Sequence, residues 1–114
     1  NKFKPSLVFG CGGNRDKDKR KKMAIVAKKY ANKVYITDDN PRYENPKKIR
    51  ESIKKYCSTG VVIPNRKQAI YEAILKLNTN DILIIAGKGH EKFQIIKDKK
   101  IEFDDYTTAK NFIK

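Results

Sequence analysis

Apolar positions along the chain fall into two alternating patterns, short dense runs and segments in which they recur every three or four residues. The first run, Leu7-Val8-Phe9, ends in Gly10-Cys11-Gly12-Gly13. After it Met23, Val26, Ala27 and Tyr30 fall on one face of an otherwise charged stretch, which predicts a helix with that face in the core. Val34-Tyr35-Ile36-Thr37 reads as a second strand. It stops at Asp38-Asp39-Asn40-Pro41, because Pro41 has no N–H for a ladder and pushes Asn40 out of the helical region. Asn45-Pro46 reads as a helix cap followed by proline in the first turn, with Ile49, Ile53 and Tyr56 as the buried stripe and Gly60 marking the exit. Val61-Val62-Ile63 is a third strand, and Ala69, Ile70, Ala73, Ile74 and Leu77 mark one face of an amphipathic helix.

Residues 82–86 are continuously apolar, too short a run for a helix and of the kind expected in a central parallel strand buried on both faces. Gly87-Lys88-Gly89-His90-Glu91 follows. Residues 93–97 and 101–103, joined through Asp98-Lys99-Lys100, predict an antiparallel hairpin, and Asp104 or Asp105 can cap a last helix bearing Tyr106, Ala109, Phe112 and Ile113. The alternation implies an α/β fold: a Rossmann-like, mostly parallel sheet flanked by helices, closed by a C-terminal antiparallel hairpin. A length of 114 residues supports one core, so residues 1–114 are expected to form one domain or one piece of a larger protein.

Composition narrows the function classes. No apolar stretch is long enough to span a bilayer and no signal-peptide layout is present, so a cytoplasmic protein without a membrane partner is expected. The chain opens at Asn1 and is almost at once in an apolar run, which fits a fragment with upstream sequence missing. Cys11 and Cys57 stand in neither a disulfide-scaffold nor a zinc-like spacing with the single His90, which implies two reduced thiols and no metal site. The net charge of +14 invites a nucleic-acid reading. The excess is mostly lysine scattered over every helix, without a stripe of arginine and exposed aromatics, so a solvated basic surface is the better default.

In open α/β sheets ligands bind beyond the carboxyl ends of the strands, where three unusual segments fall. Gly10-Cys11-Gly12-Gly13-Asn14-Arg15 has neither the GxGxxG nor the GxxxxGK[ST] spacing, and both a tight turn and an anion cradle fit it. Arg15 stands out at that turn, since a guanidinium fork grips a carboxylate through two parallel hydrogen bonds. The basic run at residues 17–22 reads as the solvent side of a helix. On propensity Asp39-Asn40-Pro41-Arg42 reads first as an ordinary Asn-Pro turn with a polar cap; its chemistry raises a second reading, a rigid mount holding a carboxylate, an amide and a guanidinium for both ends of an amino acid. In the third segment the glycines allow close approach to backbone, His90 lacks further ligands for a metal, and Glu91 can pair with a substrate ammonium group.

Taken as an ordered set, VFGCGGNRDKDKRKKM, ITDDNPRYENP, LIIAGKGHE followed by Phe93-Gln94, and the terminal Phe103-Asp104-Asp105 resemble the carboxy-terminal domain of the MurE-type Mur ligases of peptidoglycan synthesis. The resemblance covers nearly the whole chain, with departures at Asn14 and Asp18 and at Asn65, where an Asp-Arg pair is common. The DNPR form resembles members that add meso-diaminopimelate; lysine-adding members usually lack the arginine. The resemblance implies a diaminopimelate site made of Arg15, Asp39, Asn40, Pro41, Arg42, Gly87 and Glu91, with no catalytic residue in this chain. It also implies that the opening strand and helix of the domain, the ATP-binding P-loop and the magnesium ligands lie outside the sequence. ATP, magnesium and the UDP-MurNAc-dipeptide would therefore be bound by other domains, and this chain alone would not catalyse. The rival expectations are a stand-alone basic module for RNA or another acidic partner, and a different amide-bond ligase built on the same carboxy-terminal fold.

Overall fold

Four of the apolar runs pair side by side, all parallel, and their register follows the two-residue alternation of the sequence. The structure, a computed structural model, describes residues 4–13, 17–78, 81–86, 93–96 and 99–102. In chain order these form β1 (Ser6–Phe9), α1 (Lys17–Tyr30), β2 (Val34–Ile36), α2 (Pro46–Tyr56), β3 (Val61–Val62), α3 (Arg66–Leu75), β4 (Leu83–Ile85), β5 (Phe93–Ile96) and β6 (Lys99–Glu102). The sheet order is β3-β2-β1-β4, with Leu7 opposite Val34, Ser6 opposite Leu83 and Tyr35 opposite Val61. The chain thus steps outward through β2 and β3, then returns through α3 to the other side of β1. That reversal puts the topological switch point at the carboxyl ends of β1 and β4.

The pleat sends alternate residues to opposite faces. Phe9, Val34 and Ile36 pack with Ala24, Ala27, Ile49 and Ile53 of α1 and α2. Val8 and Tyr35 pack on the other face with Ala69, Ile70 and Ala73 of α3. Val8, Ile36, Ile53 and Ile70 are fully buried, each contributing about 1.5–3 kcal/mol by removal from water. Both later helices start as their sequences dictate. The Asn45 side chain accepts from the Lys47 N–H at 2.9 Å with Pro46 following, and Asn65 accepts from the Gln68 N–H at 2.9 Å.

Several expectations change. The buried stripe of α1 is Arg20, Ala24 and Ala27, while Val26 is 54% and Tyr30 59% exposed. The helix is turned so that its small alanines meet the core, which lets α1 lie close against α2. Residues 17–22 are accordingly not all solvent-facing, because Arg20 opens that stripe. Leu77 lies beyond the Lys76 cap of α3, its N–H held by the Ile74 carbonyl at 3.1 Å. β4 is not buried on both faces: among the described residues it pairs only with β1, and Ile82 and Ile84 are exposed. The hairpin is present as expected, but Ile96 pairs with Lys99, so its second strand starts before Ile101 and only two residues separate the strands. The expected last helix, at residues 104–113, lies outside the described residues.

Candidate functional site at the strand ends

The carboxyl end of β2 is locked before it turns. Thr37 donates its N–H to the Phe9 carbonyl at 3.0 Å and its hydroxyl to the Pro64 carbonyl at 3.0 Å. Asp38 follows, with its N–H 3.3 Å from the Pro64 carbonyl and its carboxylate 2.6 Å from Arg50 Nη1. The turn then runs inward: Asp39, Asn40 and Pro41 are buried and Arg42 is half-buried. Arg42 has φ of 54°, the left-handed region that an L side chain enters at a cost of roughly 1–2 kcal/mol. In that conformation its Nη1 lies 3.3 Å from the carbonyl oxygens of both Gly13 and Asn40.

This turn rests on the one that leaves β1. The Gly13 N–H donates to the Asn40 carbonyl at 2.6 Å. A Cβ on Gly13 would stand 1.8 Å from the Pro41 carbonyl oxygen, and one on Gly10 2.2 Å from that of Thr37. Those are backbone contacts that cannot yield, so Gly10 and Gly13 are required by the close approach of the two chains. Between them Cys11 is buried beside Met23, with its Sγ 3.9 Å from the thioether sulfur. Burial pushes its thiol up to about 11, so it is a protonated packing residue rather than a nucleophile.

Each helix adds an arginine that holds these strand ends, and the sequence reading assigned a role to none of the three. Arg20 of α1, 3% exposed, grips both Glu44 oxygens at 2.7 and 2.6 Å and reaches the Gly12 carbonyl at 3.2 Å. The hydrogen bond to Glu44 raises its pKa against the opposing cost of burial. Arg50 of α2 pairs with Asp38. Arg66 of α3, 2% exposed, donates to the carbonyls of Asp38 at 3.2 Å and Ala86 at 3.1 Å. The available signal was one of position: Arg20 lies four residues before Ala24 in α1, and Arg66 directly follows a capping asparagine.

Asp39, Asn40, Pro41 and Arg42 are thus brought together on the glycine turn of β1. Arg15, Gly87 and Glu91 lie outside the described residues. Arg15 falls between the described Gly13 and Lys17, and Gly87 follows Ala86, whose N–H donates to the Val8 carbonyl at 2.9 Å. Among the described residues no group of three or more His, Cys, Asp or Glu could hold a metal ion, and no helix is long and apolar enough to cross a membrane.

Residues 2–89 match the model of the family described as Mur ligase, glutamate ligase domain. Two similar proteins are UDP-N-acetylmuramoyl-L-alanyl-D-glutamate–2,6-diaminopimelate ligases. The one from Anaplasma marginale is 50% identical over 108 residues, covering 94% of this chain and 23% of that protein. The one from Rickettsia bellii is 53% identical over 108 residues, covering 93% and 23%. A solved structure of a ligase of the same name superposes with a TM-score of 0.89 at 38% identity, over 96% of this chain and 23% of that one. The chain therefore spans about a quarter of the length of the relatives it matches.

Proposed function

The chain belongs to the Mur ligase family through its glutamate ligase domain, and from that membership we propose that it is the carboxy-terminal domain of an ATP-dependent amide-bond ligase of peptidoglycan synthesis. The ligase adds meso-diaminopimelate to UDP-MurNAc-L-Ala-D-Glu, and this domain binds and orients the diaminopimelate. The observation that carries the reading is the Asp39-Asn40-Pro41-Arg42 turn seated on Gly13, with Arg42 held in a left-handed conformation at the strand-end crevice. The names of relatives about 50% identical supply the amino acid.

Diaminopimelate carries two carboxylates and two amines. Arg42 and Arg15 take carboxylates, Glu91 with loop carbonyls takes an ammonium group, and Asp39, Asn40, Pro41 and Gly87 complete the pocket. Arg42 already directs its Nη1 at two carbonyl oxygens. A guanidinium has five donors, so these contacts fix its plane and leave others for a carboxylate. Lysine, with one carboxylate fewer, leaves a guanidinium unpaired, a deficit that gives strong discrimination.

The contribution to the reaction is positional. ATP and magnesium would supply the activation of the glutamyl carboxylate, and would be held by parts of the full-length ligase other than this domain. Binding of the distal carboxylate here fixes the attacking amine at the other end of the molecule, so remote binding free energy lowers the barrier to attack. An opening strand and helix upstream of Asn1 would extend the sheet from β4 and cover the apolar groove lined by Leu7, Phe9, Met23, Val26, Tyr30 and Ile84. The alternative, a basic module for RNA, is not favoured by the comparisons. The test is the amino-acid dependence of ligation by the full-length protein. Turnover with meso-diaminopimelate and about a hundredfold or more less with L-lysine supports the reading; equal use of the two overturns it.

A further inference from the structure

Arg66 lies at the first position of α3, buried, with its guanidinium crossing the sheet beyond the strand ends. Nη1 reaches the Asp38 carbonyl at 3.2 Å and Nη2 the Ala86 carbonyl at 3.1 Å. Asp38 follows the carboxyl end of β2 and Ala86 directly follows β4. Those strands are not neighbours, since β1 lies between them. One planar side chain therefore spans the three strands that surround the switch point, and does so where the backbone leaves the sheet.

The origin of that side chain is fixed as well. Thr37 Oγ1 and the Asp38 N–H both donate to the Pro64 carbonyl, which ties the entry of α3 to the end of β2, and Asn65 caps the helix. A cation at a helix N-terminus stands against the helix dipole, and burying it costs hydration. Generic stabilisation would place an acidic residue there. Arginine is instead suited to one geometry, two carbonyls met by two donors in a rigid fork, which the point charge of lysine cannot satisfy together.

We propose that Arg66 is a positioning residue that fixes the spacing between the carboxyl ends of β2 and β4, and through Asp38 sets the placement of the Asp39-Asn40-Pro41-Arg42 turn for its amino-acid ligand. The spacing role stands on the hydrogen bonds alone; the ligand role rests on the function proposed above. In this role Arg66 acts through the backbone it holds.

The test uses Arg66→Lys and Arg66→Met in the full-length protein, with Arg42→Ala as a control. Two quantities are measured: amide hydrogen exchange at Asn40, Arg42 and Ala86, and apparent KM for meso-diaminopimelate and for ATP. The expected result is about tenfold faster exchange at all three amides with the interior of α1 unchanged, the size expected for losing one charge-assisted hydrogen bond. With it, KM for diaminopimelate rises about tenfold and KM for ATP stays within about twofold. Arg66→Lys, which can meet one carbonyl at a time, restores neither quantity fully. Faster exchange spread evenly over the domain, or confined to one strand end, overturns the spacing role. Unchanged KM in both Arg66 variants while Arg42→Ala raises it overturns the ligand role and leaves the proposed function standing. Unchanged KM in Arg42→Ala overturns the proposed function and the ligand role with it, whereas joint exchange at the three amides still supports the spacing role.

Discussion

Gly13 and Pro41 meet with no room for a side chain between them: a Cβ on Gly13 would stand 1.8 Å from the Pro41 carbonyl oxygen and 2.5 Å from its carbon. The turn after β1 and the turn after β2 are therefore one unit, joined further by the Gly13 N–H to Asn40 and by Arg42 to the Gly13 carbonyl. Gly13→Ala must push the two backbones apart. The expected outcome in the full-length protein is a loss of about 1–3 kcal/mol in the stability of this domain, as for other overpacked sites, with weaker diaminopimelate saturation. Denaturant unfolding followed by domain-specific hydrogen exchange measures the first; a Gly13→Ala variant as stable as the parent would show that the turns do not press on each other.

The Arg20 to Glu44 pair holds the same unit from the helix side. Arg20 is 3% and Glu44 21% exposed, and both guanidinium nitrogens of the fork are engaged. Removing the acid leaves a buried cation, which costs more than the pair contributes. Glu44→Gln is expected to destabilise the domain by about 2–3 kcal/mol, somewhat below the value for a fully buried pair because Glu44 is partly solvated. Asp38→Asn, at a pair whose arginine is more accessible (15% against 3%) while the acids are alike at 21%, should cost about 1 kcal/mol or less. Comparable losses in the two variants would contradict the greater weight given to the more buried Arg20 pair.

Cys11 gives a pH dependence with a definite sign. Burial raises its thiol from 9.0 to about 11, so the unfolded chain loses the proton first as pH rises. Its contribution to stability is intact below pH 9 and lost as pH climbs towards about 11. Cys11→Ala should show a shallower alkaline decline than the parent across that window, measured by thermal unfolding at fixed ionic strength. Parallel declines would mean that Cys11 does not titrate with unfolding. The same burial predicts slow alkylation of Cys11 at neutral pH relative to unfolded chain.

Much of the scaffold was legible because its signals are local. Asn45-Pro46 started α2, and the alternation of runs gave the parallel sheet with its hairpin. The face of α1 was read in part: Met23 and Ala27 pack on the core, whereas Val26 and Tyr30 are exposed and Ala24, which weighs little in any hydrophobic pattern, is buried. β4 reads as a central strand by composition, and only pairing reveals that β1 alone adjoins it among the described residues. The Asp39 to Arg42 turn was visible as chemistry. Its supports, Arg20 and Arg66, were hidden in a chain with 27 basic residues, where burial rather than residue type distinguishes them.

The central proposal is that Arg42, besides joining the two turns through the Gly13 and Asn40 carbonyls, holds the amino-acid substrate. Its left-handed backbone, with φ of 54°, costs stability that a glycine would not incur. Arg42→Gly should therefore fold at least as stably as Arg42→Ala, by about 1 kcal/mol, and both should lose the amino-acid substrate alike. The decisive measurement is steady-state kinetics of the full-length protein and its Arg42→Ala variant, with meso-diaminopimelate and ATP varied in turn. A rise of about thirtyfold or more in KM for diaminopimelate, as for a lost charge-assisted pair, with KM for ATP unchanged, is the predicted result. Equal changes in both, or none in either, would contradict it.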